Sequence, residues 1–379
     1  MNPSVSRTKA FRIVPVGLAF ALAVLSAPRA AQAQRNWQAK VGAESPGMGK
    51  QALAFLPNEL WIHVGDSITW TSGSNEIHTV TFLTVGQIFP AFTDGCPGFS
   101  SSGAAFDGSS CVTTEPFVKG GNFTVTFPKG GNYKINCLVH NTMNGLIHVL
   151  DASAVLPHDQ SFYDQEAAEQ SSNLLKDMDH AMSMYMDIDI DGVGARTAGN
   201  SISVRVLYPK SRSRGVMRHI AAGNFPRGDF GNQVTAGVGE ISSTPGGLQT
   251  ASLVRFLKGT IEIHAGDTVE WRNSDPEEPH TITFGPEPAD LFDPSPNVTM
   301  DEDGALRAVI TSPNDSVHSG FVELALQDEP GLPSNSLFAN AIALNPTRFR
   351  VTFVNPGTYN YKCSLHDNLG MLGKVIVLP

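Results

Sequence analysis

Two blocks of this chain are each written twice, and a duplicated pattern narrows the fold more than composition can. "LPNELWIHVGDSITWTSGSNEIHTVTF" (Leu56–Phe82) aligns with "LKGTIEIHAGDTVEWRNSDPEEPHTITF" (Leu257–Phe284). Both carry Ile-His-x-Gly-Asp, a tryptophan (Trp70, Trp271) and a His-Thr-x-Thr-Phe ending at His78 or His280. "FTVTFPKGGNYKINCLVH" (Phe123–His140) aligns in turn with "FRVTFVNPGTYNYKCSLH" (Phe349–His366). Apolar and polar residues alternate in all four stretches, between Gly-Asp, Gly-Gly or Pro-Gly turns. That period of two belongs to half-buried antiparallel strands. The fold expected is all-β: two β-sandwiches, at 35–152 and 229–379, with a different kind of sequence at 153–228 between them.

That middle segment opens with "DQSFYDQEAAEQSSNLLKDMDHAM" (Asp159–Met182), which has neither Gly nor Pro and predicts a helix. "NSISVRVLYP" (Asn200–Pro209) reads as a strand, and 210–232 as a linker. An insertion at about 285–346 in the second repeat has no readable shape. Ahead of the repeats, Arg7, Lys9 and Arg12 precede an apolar run and an Ala31-Gln32-Ala33 end. That is the pattern of a signal peptide over residues 1–33, and it predicts a periplasmic or secreted protein without a membrane anchor. The 26 Lys and Arg against 36 Asp and Glu give a net charge of −10. Such a balance argues against nucleic acid as a partner and suits a redox protein with a basic docking face. Oligomeric state is not legible.

The four cysteines divide two and two. Cys96 and Cys111 flank a loop of small residues and predict a disulfide in an oxidising compartment. Cys137 and Cys363 each stand in a duplicated cluster. The first repeat offers His78, Cys137, His140 and Met143; the second offers His280, Cys363, His366 and Met371. Two imidazoles, one thiolate and a weak thioether describe a type 1 (blue) copper site, because soft sulfur suits Cu(I) while imidazole serves Cu(II). In the second loop a count of three from the histidine falls on Leu369. Met371 is assigned instead because it stands two residues before Gly373, as Met143 stands two before Gly145. His63 and His264 also repeat, at the Gly-Asp turns, and are read as surface or packing residues. His148, His158, His219 and His318 have no counterpart.

The loops "CSLHDNLGMLGKV" and "CLVHNTMNGLIHV", taken with "GDSITW" and "GDTVEW", resemble those of the cupredoxins: plastocyanin, azurin, amicyanin and their relatives. The first is similar to a plastocyanin loop, the second to the shorter amicyanin loop. The resemblance covers both repeats but not the middle segment. It implies two Greek-key cupredoxin sandwiches, two type 1 copper ions per chain, and electrons entering through His140 and His366 at the solvent edge. Departures are Val139 and Leu365 where the family often has proline, and Thr79 and Thr281 where it often has asparagine; their hydroxyls would tie the ligand strands together.

The function expected is a periplasmic carrier of single electrons. Two other classes stand beside it. A copper enzyme of the nitrite reductase or multicopper oxidase type shares the sandwich, but its His-x-His pairs are missing: none of the eleven histidines lie two apart. A copper-handling protein would use Met178, His180, Met182, Met184 and Met186, which otherwise read as helix filler. The same segment ends Asp187-x-Asp189-x-Asp191-Gly192, the opening of a calcium loop whose closing glutamate is replaced by Ala198.

Overall fold

The computed structural model describes residues 34–191, 232–324 and 346–379. The leader 1–33, the strand expected at Asn200–Pro209 and the linker lie outside the described residues, apart from the linker's last position. So do the side chains of His180, Met182, Met184 and Met186. The described residues form one compact unit.

Strands begin where the alternation places them. Ser67–Gly73 buries every second residue, Ile68, Trp70 and Ser72, and Asn144–Leu150 repeats the pattern with Ile147 and Val149 inward. The repeated Gly-Asp is a structural turn. Asp66 accepts from the His63 amide at 3.0 Å, the Arg35 amide at 2.8 Å and Trp37 Nε1 at 2.9 Å. Asp267 accepts from the His264 amide at 2.9 Å. Gly65 and Gly266 take φ of 91° and 93°, a conformation open to glycine at little cost.

Each repeat is a sandwich, with Trp70, Phe82, Phe127 and Ile147 in one core and Trp271, Phe284, Phe353 and Val375 in the other. One five-stranded sheet per repeat forms an outer layer. The two inner layers are a single sheet of eleven strands. Lys50–Leu56 of the first repeat pairs antiparallel with Gly247–Leu257 of the second, Leu53 opposite Thr250 and Lys50 opposite Leu253. Joining the repeats edge to edge satisfies two rows of backbone groups that would otherwise be open to aggregation.

The helix spans Gln160–Asp191, longer than the segment expected from composition. Asp159 caps it, accepting from the Phe162 amide at 3.0 Å. Ala167, Leu174 and Met178 pack on Ala52, Ala54, Leu56, Ala251 and Leu253, so the helix covers the seam between the repeats. Met178 is fully buried there as filler. The Asp187–Asp191 run continues the helix and does not form a calcium loop. Among the described residues no helix is long and apolar enough to cross a membrane.

Within the insertion, Thr299–Met300, Leu306–Ile310 and Val317–His318 are strands added to the second sandwich. His318 bonds Thr283 Oγ1 at 2.8 Å and the Leu291 carbonyl at 3.1 Å, and so ties the insertion to the core. Cys96 and Cys111 lie within disulfide-bonding distance, their Cα atoms 5.8 Å apart.

Candidate metal centres

The strand Gly131–Asn136 delivers Cys137 to the end of the outer sheet, and the tight loop after it returns His140 beside the sulfur. His78 comes from the other duplicated block, held where its amide and carbonyl pair with Phe117 at 3.0 and 2.9 Å. The result is a closed set: His78 Nδ1 lies 3.2 Å from His140 Nδ1, which lies 3.6 Å from Cys137 Sγ. In the second repeat His280 Nδ1 and His366 Nδ1 are 3.1 Å apart, and Cys363 Sγ is 3.8 and 3.4 Å from them. All six residues are buried. Metal bonds of about 2.0–2.3 Å in a near-trigonal plane put donors roughly 3.1–3.8 Å apart, so both triads are spaced to hold one ion.

The methionines sit in matching register. The Met143 carbonyl accepts from the Cys137 amide at 3.0 Å, and the Met371 carbonyl from the Cys363 amide at 3.1 Å. Both side chains are fully buried. Leu369 is also buried, but Met371 occupies the position equivalent to Met143.

Thr79 and Thr281 act as ties. Their amides donate to Cys137 Sγ at 3.4 Å and Cys363 Sγ at 3.3 Å, and their hydroxyls accept from the Leu138 and Ser364 amides at 2.8 and 2.7 Å. Each cysteine sulfur is thereby held by the strand that carries the first histidine. Burial opposes a thiolate, but the imidazoles of His140 and His78 bring the Cys137 thiol well below its ordinary range. His366 and His280 do the same for Cys363. Burial lowers His78 and His280, which favours neutral, ligand-ready rings.

Two glycines make room for the first histidines. A Cβ at Gly42 would collide with His78 Nε2, and one at Gly237 with His280 Nε2; φ at these positions is 68° and 73°. Gly42→Ala and Gly237→Ala are each expected to displace one imidazole and remove metal binding from that repeat alone, read as loss of one metal equivalent in a titration.

The loop histidines depart from expectation. His140 is 1% and His366 3% exposed, so neither ring lies at a solvent edge. Because the repeats meet along their inner sheets, the two Nε2 atoms point into one buried space between the repeats, together with Glu76 and Glu278. His140 Nε2 is 3.1 Å from Glu278, and His366 Nε2 is 3.4 Å from Glu278 and 3.5 Å from Glu76. Without metal, burial opposes a proton on His140, but Glu278 and then Cys137 raise it well above its usual value. Burial and the neighbouring Glu278 push Glu76 up to about 7. Neither glutamate was singled out from sequence. A signal was present, since each stands two residues before the first histidine of its repeat.

Asp275 shapes the turn that carries Glu278, accepting from the Glu277 and Glu278 amides at 2.9 and 3.0 Å. Burial, with the Glu278 charge second, pushes Asp275 up to about 7 from an ordinary 3.8. A carboxyl raised on folding stabilises the fold most at low pH, and its contribution falls as pH rises through that window, flat above it. Asp275→Asn keeps the acceptor and is expected to reduce the loss of metal-free stability between about pH 4 and 7, measured by urea midpoints.

His63 bonds the Ala154 carbonyl at 2.9 Å, and His148 bonds Asn132 and Glu59 at 2.7 and 3.0 Å. His158 stacks on Phe162, and His264 is exposed at the end of its strand. None belongs to a metal-capable group among the described residues; His219 lies outside them.

The family model for copper binding proteins of the plastocyanin/azurin family matches residues 43–150 and again 246–378. A plastocyanin of Synechococcus sp. (strain JA-2-3B'a(2-13)) is 27% identical over 131 residues, 35% of this chain and 68% of that protein. Among solved structures, amicyanin from Paracoccus versutus (Thiobacillus versutus) is 19% identical, with 30% of this chain and 80% of that one covered and a TM-score of 0.21. A mutant fern plastocyanin is 21% identical over 38% of this chain and 99% of that one, with a TM-score of 0.19. Two matched ranges, each holding one complete Cys-His-His set, account for most of the chain, which belongs to the plastocyanin/azurin family of copper-binding proteins.

Proposed function

We propose that the chain carries single electrons through two type 1 copper ions in an exported compartment. The observation that carries this reading is the pair of buried triads, His78–Cys137–His140 and His280–Cys363–His366. Each offers one thiol and two imidazole Nδ1 atoms, a donor set that serves both copper oxidation states. Met143 and Met371, buried and in equal register, would complete the two donor sets with their thioethers. Copper bound there supplies a one-electron couple.

What the protein contributes is constraint. The cysteines are anchored through the Thr79 and Thr281 amides, and the first histidines are fixed by backbone pairing and by Gly42 and Gly237. Ligands held this firmly cannot relax far between redox states, so little reorganisation accompanies electron transfer. The sites are not identical. Ser74 Oγ lies 3.0 Å from His78 Nε2, whereas Pro276 stands at the corresponding position before His280. With loops of unequal length, that difference predicts two distinct potentials.

The acidic balance suits a redox partner with a basic face. The basic and apolar leader supports export.

The test is copper content with an optical spectrum. Electron carriage predicts two coppers in the Cys-His-His sites, intense blue or green absorption, and no turnover. An enzyme of the nitrite reductase or oxidase type predicts reduction of nitrite or oxygen at rates that follow copper loading. Tight colourless Cu(I) binding that survives serine at both cysteines would favour copper handling.

A further inference from the structure

Between the two triads lies a second set of metal donors. Glu76, His140 and Glu278 form a metal-capable group, their donor atoms within 4.8 Å of one another, and His366 Nε2 faces the same two carboxylates. Four donor spacings are fixed by the fold. His140 Nε2 is 3.1 Å from Glu278 Oε1 and 4.0 Å from Glu76 Oε1. His366 Nε2 is 3.5 Å from Glu76 Oε2 and 3.4 Å from Glu278 Oε2. A tetrahedron with metal bonds of about 2.0–2.1 Å has edges of about 3.4 Å. Three of the four spacings lie near that edge, with Oε1 of each carboxylate turned to His140 and Oε2 to His366.

The cluster is also buried and only partly satisfied. Glu76, Glu278, His140 and His366 are 6%, 2%, 1% and 3% exposed. His140 Nε2 and Glu278 Oε1 lie close, yet neither makes a hydrogen bond, because the geometry does not align them. Two buried carboxylates this near each other require compensation. Among the described residues no lysine or arginine pairs with either, and the opposing groups within ion-pair distance are the two loop imidazoles.

We propose that Glu76, Glu278, His140 Nε2 and His366 Nε2 form a third metal site, for a divalent transition ion of the Zn2+ class, bridging the two repeats. Two imidazole nitrogens and two carboxylates, with Glu76, His140 and Glu278 already gathered within 4.8 Å, suit that class. The inference rests on the copper reading in one respect: Nδ1 of each loop ring serves its own repeat, which leaves Nε2 for the centre. Each ring then bridges as an imidazolate, its last N–H proton passing to solvent as the ion enters. The ion would link the repeats through their ligands and hold both carboxylates by coordination, its two positive charges matching the two protons released.

The experiment uses the mature chain loaded anaerobically with Cu(I), which is colourless, then titrated with Co2+. The expected result is one Co2+ per chain with tetrahedral visible bands and no intense thiolate-to-cobalt absorption, at two retained coppers. Glu76→Gln and Glu278→Gln should each lose the cobalt equivalent and keep both coppers. Two coppers with no bound cobalt, or cobalt binding indifferent to both substitutions, would overturn the site and leave an ion-paired acid–imidazole cluster. Fewer than two coppers would instead count against the copper reading. The titration is then read on the chain carrying Cys137→Ser and Cys363→Ser, where a thiolate-free tetrahedral spectrum lost in Glu278→Gln supports the third site and its absence refutes it.

Discussion

Cys363→Ser is expected to remove one copper and about half of the visible absorption, and Cys137→Ser the other half, in a chain that stays folded. The colour comes from charge transfer between a thiolate and Cu(II); a serine hydroxyl is neutral and hard and supplies neither the band nor the affinity. Folding should survive because the oxygen can still accept the Thr281 amide that now donates to Cys363 Sγ at 3.3 Å. The Ser364 amide's bond to Thr281 Oγ1, at 2.7 Å, does not involve the sulfur. Optical titration with Cu(II) and elemental analysis on both single variants check the result. If either substitution abolished both bands, the sites would not be independent. If neither removed a band, the sulfur would not be a ligand.

The largest structural loss is expected at Arg350. Its Nε donates to Glu270 Oε2 at 2.8 Å, its Nη1 to Asp301 and Asp303 at 3.0 and 2.9 Å, and its Nη2 to Asp303 at 2.6 Å. Glu270 is fully buried and Arg350 is 6% exposed. The Asp303 carboxylate, with Glu270 and Asp301, raises the guanidinium further above its already high range despite burial. Arg350→Met leaves the buried Glu270 carboxylate with Arg272 as its remaining ion-pair partner and strands the loop carrying Asp301 and Asp303. Breaking a buried pair from one side costs about 3–5 kcal/mol. The contact to Arg272 places the expectation at the lower end, about 3 kcal/mol. Urea unfolding should show a lower midpoint at an unchanged slope. Adding Glu270→Gln should recover part of the loss, because it removes the orphaned charge. A loss below about 1 kcal/mol would mean that Arg272 and solvent suffice.

Much of the candidate site was legible because its determinants are local or repeated. Alternation around Trp70 and Trp271 marked the strands. The spacing Cys-x-x-His put the sulfur and one imidazole on a single loop, and duplication brought His78 and His280 into the same argument. The glycine register that preferred Met371 over Leu369 reappears as equal backbone bonding at Met143 and Met371. Thr79 and Thr281, noticed as departures from the family, hold the sulfurs as their hydroxyls and amides allowed.

Glu76 and Glu278 escaped for a physical reason. An acidic residue in a polar turn is ordinarily solvated, and nothing in "SNEIHTV" or "DPEEPHT" says that the turn will be covered. The same blind spot put His140 and His366 at a solvent edge. Sequence alone determined the period of the strands, the duplication and the chemistry of each donor set, since these depend on side-chain type at short spacing. Tertiary structure decided that Lys50–Leu56 pairs with Gly247–Leu257 and that the two triads face one buried acid pair. Edge-to-edge pairing is made by backbone N–H and C=O groups that every residue but proline carries, so the choice of partner strand leaves no mark in the order of the side chains.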